Sequence, residues 1–133
     1  MEIYKSTYQK IVFNNETSTL EEYWLKPVIS PEDYKKELMM YTLYVEQCSP
    51  KNVYVDLKNF DMTITPDVQE WIDKNRIVKR FIKAGVKKIA ATTEIANMSK
   101  QTIEQREWER TKRQILTTEY FLDENKAKQW LSL

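Results

Sequence analysis

Histidine is absent from this chain of 133 residues, and cysteine and glycine occur once each, as Cys48 and Gly85. Without an imidazole there is no histidine general base, no histidine partner for a nucleophile and no histidine metal ligand. One cysteine excludes an intrachain disulfide and a cysteine-rich zinc site, and one glycine excludes the glycine-rich loops that hold phosphates. We therefore expect a protein that is not an enzyme and uses no cofactor.

Neither sign of charge dominates, because 21 Lys and Arg residues stand against 20 Asp and Glu residues and leave a formal net charge of +1. This balance argues against bulk electrostatic binding of nucleic acid or of an anionic membrane. No run approaches the roughly 18 apolar residues of a membrane span, and residues 1–10 lack the apolar core of a signal peptide. We expect a cytoplasmic protein, and a single thiol is consistent with a reducing compartment.

Apolar and aromatic residues are plentiful, at 41% and 12% of the chain. This content is too high for a disordered chain, and a domain typically contains about 100–150 residues. No linker rich in proline, glycine or serine interrupts the sequence. The prediction is therefore one domain over residues 1–133.

Apolar spacing and capping residues predict the elements of the N-terminal part. Strands in residues 2–13 and 20–26 are expected to form a hairpin. Ser30 is placed to cap a helix that ends near Cys48. Residues 52–57 form a short apolar run that is typical of a strand buried on both faces.

The C-terminal part continues the alternation of helices and strands. Thr65 is placed to cap a second helix, and Gly85 to end it in a left-handed conformation. The remaining elements are a strand over residues 86–93, a helix over 99–114, a strand over 115–121 and a helix capped by Asp123. The order β-β-α-β-α-β-α-β-α predicts an α/β fold: a mixed, mostly parallel sheet with helices packed around it.

The loop after the predicted central strand is the first candidate site. Its candidate residues are Asp56, Lys58, Asp61, Thr63, Thr65 and Asp67. Ligands of open α/β sheets bind beyond the carboxyl ends of the strands, and a helix N-terminus there offers free N–H groups to an anion. A phosphoryl group on Thr65 would add a charge of about −2 that a partner recognises. The alternative is that Thr65 only caps its helix and the aspartates are solvated.

A basic segment is the second candidate site. Residues 74–88 contain seven Lys and Arg residues and no acid. Arg76, Lys79, Arg80 and Lys83 have helical spacing, which predicts a stripe on one helix face that meets an acidic partner or a phosphate. The alternative is that these cations only complement the negative end of the helix dipole.

Three further sets of residues favour structural roles. Glu21 and Glu22, and the other closely spaced acids, match no metal-binding loop and are expected to be solvated. Cys48 lies near a helix C-terminus, where the dipole disfavours a thiolate, so a packing or surface role is expected. The aromatic residues are expected to fill the core, although with Met39 and Met40 they leave an apolar-ligand pocket or a protein interface open.

Two local patterns, together with the element order, resemble the STAS-like superfamily, which has the anti-sigma-factor antagonist fold. Val-Tyr-Val-Asp-Leu-Lys at residues 53–58 is similar to the family's apolar strand followed by Asp-Leu-Ser. Residues 120–131 are similar to its ending, in which a strand closes on Phe, acidic residues follow, and an Ala…Trp-Leu helix completes the domain. In element order the resemblance spans nearly the whole chain.

The resemblance implies a non-enzymatic regulatory role. In the antagonist members a Ser or Thr near the start of the helix after the Asp-Leu-Ser strand is phosphorylated, and Thr65 matches it by position. The family's Asp-Ser-Ser-Gly is replaced here by Ile-Thr-Pro-Asp at residues 64–67, and its Ser by Lys58, which argues against a retained switch. The expected partner is a protein. The alternatives are a second copy, paired through exposed N-terminal strands, and an apolar ligand or lipid, as in SEC14-like relatives.

Overall fold

The strands of the sheet follow one another in space in the same order as in the sequence. The computed structural model describes residues 1–27, 30–60, 64–94 and 116–133. The strands are β1 (Glu2–Lys5), β2 (Gln9–Asn14), β3 (Thr19–Trp24), β4 (Asn52–Asp56), β5 (Lys88–Thr92) and β6 (Thr117–Phe121). The described helices are α1 (Pro31–Cys48), α2 (Pro66–Lys74), α3 (Ile77–Ala84) and α4 (Glu124–Leu131).

The sheet is mixed and mostly parallel, which confirms the predicted α/β class. β1, β2 and β3 pair antiparallel, whereas β3, β4, β5 and β6 run parallel. The register aligns Tyr23, Asp56, Thr92 and Phe121, so the four parallel strands end in one row. We call the chain just beyond this row the carboxyl edge.

The predicted N-terminal hairpin is wrong in one respect, because the first predicted strand is two strands. The hydroxyl of Ser6 accepts hydrogen bonds from the N–H groups of Tyr8 and Gln9, at 3.1 and 3.2 Å. These bonds turn the chain between β1 and β2, as serine side chains do in turns. The N-terminal part is therefore a three-stranded antiparallel unit.

The predicted second helix is also divided in two. The amide of Asn75 donates to the carbonyl of Trp71 at 2.9 Å, and Arg76 adopts a left-handed conformation with φ of 56°. A side chain that bonds to the backbone in this way competes with helix propagation. The described order is therefore β-β-β-α-β-α-α-β, followed after residue 115 by β-α. The helix predicted over 99–114 lies outside the described residues.

Three predicted helix starts, and the predicted helix end at Gly85, are confirmed by their caps. Ser30, Thr65 and Asp123 each accept a hydrogen bond from a backbone N–H of the first helical turn. Gly85 ends α3 with φ of 108°, a conformation that costs glycine little and other residues more. These caps satisfy N–H groups that have no partner inside the helix.

The two faces of the sheet carry different cores. The first, which we call the α1–α3 face, buries Ile11, Leu20 and Val53 beneath apolar residues of α1, α2 and α3. The second, the α4 face, buries Tyr54 and Ala90 beneath α4. Val53 and Tyr54 are consecutive in β4 and so point to opposite faces, which confirms that this strand is covered on both sides. No helix in the described ranges has the length and apolar character to cross a bilayer.

Candidate functional site

An aromatic cluster supports the carboxyl edge on the α1–α3 face. The rings of Trp24 and Tyr34 stack at 5.9 Å, and Phe60 lies 5.0 Å from Trp24 and 5.5 Å from Tyr34. Ile64 and Leu57 pack against the same rings. Contacts of this kind fix the chain on both sides of residues 61–63 to β3 and α1. The aromatic residues Trp24 and Tyr34 were expected to fill the core, and their rings do pack against one another and against Phe60.

Asp56 and Lys58 form a tight turn directly after β4. A carboxylate oxygen of Asp56 accepts the N–H of Lys58 at 3.0 Å, while Leu57 N–H donates to the carbonyl of Thr92 at 2.8 Å. Asp56 therefore shapes the turn, as Asp side chains commonly do. The side chain of Lys58 is exposed. The third predicted residue of this loop, Asp61, lies outside the described residues, as does Thr63.

Thr65 is exposed at the N-terminus of α2, where its hydroxyl oxygen accepts the N–H of Val68 at 3.4 Å. The capping role that the sequence left as the alternative is therefore present. The neighbouring Ile64 packs into the aromatic cluster, as does Phe60 two residues after Lys58. The structure thus anchors neighbours of both Thr65 and Lys58 in one aromatic cluster, and no hydrogen bond or ion pair between described residues joins the side chains of Thr65 and Lys58.

Two exposed leucines at the carboxyl edge were not singled out from the sequence. Leu25 follows β3 and is 37% exposed, and Leu122 follows β6 and is 46% exposed. The available signal was their position, because each comes directly after a strand that the sequence predicts. With Lys58 and Thr65 they give the carboxyl edge a mixed apolar and polar surface.

The predicted basic stripe does not lie on one helix. Arg76 sits in the left-handed junction between α2 and α3, because Asn75 interrupts the helix there. The guanidinium of Arg80 donates to both carboxylate oxygens of Glu46 in α1, at 3.0 and 2.6 Å. That pair lowers the pKa of Glu46 and raises the pKa of Arg80. Arg80 is therefore a bridge between helices.

Lys79 and Lys83 are exposed, and neither forms an ion pair with any described residue. A small pocket of about 100 Å³ lies at the helix junction. Its lining residues are Ile72, Asp73, Arg76, Ile77, Val78 and Lys79. Pockets for small organic ligands typically measure about 300–1,000 Å³, so this one has room for a few water molecules only.

The expectation that Glu21 and Glu22 are solvated is wrong. Glu21 is 7% exposed on the α4 face, where Tyr23 donates to it at 2.7 Å. Glu22 is 4% exposed on the α1–α3 face. The pKa of Glu22 is raised to about 8, chiefly because burial disfavours the charged form; a hydrogen bond from Trp24 opposes this shift and the charge of Glu37 adds to it. The alternation of side chains in β3 separates the two carboxyl groups.

Within the described parts of the chain, no group of three or more acidic or cysteine side chains is placed to hold a metal ion. Cys48 is partly buried against the core of the α1–α3 face, and burial raises the pKa of its thiol. A thiol of raised pKa is a poor nucleophile at neutral pH, which agrees with the predicted packing role.

Comparison of the chain with models of protein families, with curated proteins and with solved structures found no match. The STAS-like resemblance of residues 53–58 and 120–131 therefore stays a prediction. The function is argued below from the geometry of the carboxyl edge.

Proposed function

We propose that this protein is a cytoplasmic, non-enzymatic regulatory module that binds a protein partner through its carboxyl edge, as the STAS-like resemblance implies. The observation that carries the proposal is that Leu25, Lys58, Thr65 and Leu122 are all exposed at this edge, where the aromatic cluster anchors the neighbours of Lys58 and Thr65. Protein interfaces combine an apolar centre with a polar rim. A surface that is already fixed by packing binds at a smaller entropic cost.

Partner binding at this edge does not require a phosphorylated Thr65. Its hydroxyl already caps α2, and Pro66 follows it directly. The contact to a partner is expected to include the two leucines, because the centre of a protein interface is apolar and its rim is polar.

The alternative, an apolar-ligand domain of the SEC14-like type, needs an internal cavity of roughly 300 Å³ or more. The aromatic rings that would line such a cavity pack within 5.0–5.9 Å of one another. This packing favours the interaction module.

The test uses a matched pair of leucines. Leu122 at the carboxyl edge and Leu43 on α1 are both 46% exposed, so Leu122→Ser and Leu43→Ser remove the same apolar surface at different places. Proteins captured from the source cell are identified and purified, and their dissociation constants are measured with each variant. We expect Leu122→Ser to weaken binding by about tenfold, because the leucine would no longer bury apolar surface against the partner, and Leu43→Ser to change it less than about twofold.

Equal affinities of the two variants for every purified partner would contradict the proposal. Native mass spectrometry of the freshly purified protein supplies the second arm. A co-purifying apolar molecule would replace the interaction module with the ligand-binding alternative, and a clean protein mass agrees with the proposal.

Thr65 is tested separately. Thr65→Ala removes the cap of α2 and should lower the free energy of unfolding by about 1 kcal/mol, measured by urea denaturation. Thr65→Glu adds negative charge at the same place. We expect Thr65→Glu to leave partner affinity within about threefold, because Thr65 is a polar residue of the proposed rim, where single contacts contribute little to binding energy. A complete loss of binding in this variant alone would instead establish a charge-operated switch.

A further inference from the structure

Two buried oxygen atoms on neighbouring strands lack hydrogen-bond partners within the described part of the chain. They are Oε1 of Gln9 and Oε2 of Glu22, whose residues are 0% and 4% exposed. Gln9 pairs with Trp24 and Ile11 pairs with Glu22, so Gln9 and Glu22 are diagonal neighbours across β2 and β3. Diagonal neighbours on one face lie within reach of long side chains.

The hydrogen bonds of Gln9 determine which of its atoms is left over. Its Nε2 donates to the carbonyl of Glu37 at 2.8 Å and to Oε2 of Glu37 at 2.7 Å. Both amide hydrogens are thereby used, and Oε1 remains as an acceptor. An ionised Glu22 would also be an acceptor only, so both buried oxygen atoms would remain without a donor, which is costly.

We infer that Glu22 is a neutral carboxylic acid in the folded protein and donates its proton to Oε1 of Gln9. A proton on Oε2 of Glu22 makes this oxygen a donor, so a single hydrogen bond gives both Oε2 of Glu22 and Oε1 of Gln9 a partner. The bond completes a series of hydrogen bonds from Glu22 through Gln9 to Glu37, which joins β3, β2 and α1. This series of hydrogen bonds is sensitive to pH, because Glu22 can no longer donate to Gln9 once it has lost its proton.

The groups around Glu22 favour the neutral acid. From α1 it is faced by Glu37, whose charge raises the pKa of Glu22, and by Tyr34 and Tyr41, which are uncharged phenols near neutral pH and supply no positive charge. Tyr4 of β1 donates to Glu37 at 3.3 Å, and Tyr120 of β6 lies near Tyr34. No lysine or arginine among the described residues forms an ion pair with Glu22 or Glu37.

The direction of the pH effect follows from linkage. The pKa of Glu22 is raised from its ordinary 4.5 to about 8 in the folded state. Between these values the folded chain keeps a proton that the unfolded chain releases, so the stabilisation is complete below pH 4.5 and is lost as pH rises to 8. One such proton lowers the folding equilibrium constant by up to about tenfold per pH unit. No histidine contributes in this window, because the chain has none.

The experiment measures urea unfolding of the full chain from pH 5 to pH 9 for the wild type, Glu22→Gln and Glu21→Gln. In Glu22→Gln an amide N–H replaces the carboxylic donor, so we expect the pH slope of about tenfold per unit to disappear. Glu21→Gln changes the adjacent buried carboxylate on the opposite face and should keep the slope. A slope that is unchanged in Glu22→Gln, or lost equally in both variants, contradicts the inference.

A direct readout remains if Glu22→Gln does not fold. The side-chain carboxyl carbon of Glu22 in the wild-type protein is followed by NMR across the same pH range. We expect the chemical shift of a protonated acid at pH 6, with titration near pH 8. The shift of an ionised carboxylate at pH 6 would overturn the inference.

Discussion

Glu21 and Glu22 are consecutive glutamates of β3, yet the surroundings of their carboxyl groups differ completely. Glu21 accepts from Tyr23 at 2.7 Å and lies 3.6 Å from Lys128 of α4. Glu22 points to the α1–α3 face, where no described cation reaches it and one oxygen is unpaired. The difference teaches that the face of the sheet decides whether a buried carboxyl group carries charge.

The same contrast extends over both faces. On the α4 face, Lys128 donates to Tyr23 at 3.2 Å and to Glu124 at 3.3 Å, and its ammonium lies 5.2 Å from the ring centre of Tyr54. The α1–α3 face buries mainly apolar and aromatic side chains beneath three helices. Apolar packing should therefore contribute more to the stability of the α1–α3 face than to that of the α4 face, and ion pairs should contribute mainly on the α4 face.

The largest predicted effect is the loss of unfolding free energy when one apolar side chain is truncated in each of the two cores. Phe81 on the α1–α3 face is 7% exposed and packs 6.0 Å from the ring of Tyr41, whereas Leu131 lies in the last turn of α4. We expect Phe81→Ala to lower the free energy of unfolding by about 3–5 kcal/mol, and Leu131→Ala by about 2 kcal/mol. Urea denaturation at pH 6 measures both. A larger loss for Leu131→Ala would reverse the proposed division of stability between the faces.

The sequence predicts those features of the fold that depend on neighbouring residues. The caps at Ser30, Thr65 and Asp123 are local, and the buried strand at residues 52–56 needs only its own apolar run. The break at Arg76 was missed because apolar spacing continues through it, and the signal was Asn75, whose side chain bonds back to Trp71.

The candidate site was predicted only in part, for a different reason. Asp56, Lys58 and Thr65 follow from the position of a loop after a strand. The surroundings of Glu22 depend on Gln9 and on Glu37 in α1, which approach it only when the sheet and the helix assemble. Pairing between distant residues has no local signature, so composition and spacing favoured a solvated carboxylate.

The second prediction concerns the charged network. Lys128→Met keeps the length of the side chain but leaves the buried Glu21 without its ion pair, and we expect a loss of about 1 kcal/mol of unfolding free energy. Because salt screens such pairs, the difference from the wild type should shrink between low and high salt. The loss in Phe81→Ala should not shrink, and an equal salt response in both variants would remove the distinction between the faces.

The smallest predicted effect tests an ion pair that belongs to neither buried network. Arg80→Gln breaks the exposed pair with Glu46 and should cost about 0.5 kcal/mol of unfolding free energy at pH 7. Since Arg80 lowers the pKa of Glu46 below its ordinary 4.5, the pair stabilises the protein above that pH and its contribution is lost as pH falls further. The matched control is Lys79→Gln, which removes an exposed cation without an ion pair and should change nothing measurable. Equal losses in the two variants at pH 7 would mean that the whole basic charge of α3, and not the contact between α1 and α3, stabilises this side of the molecule.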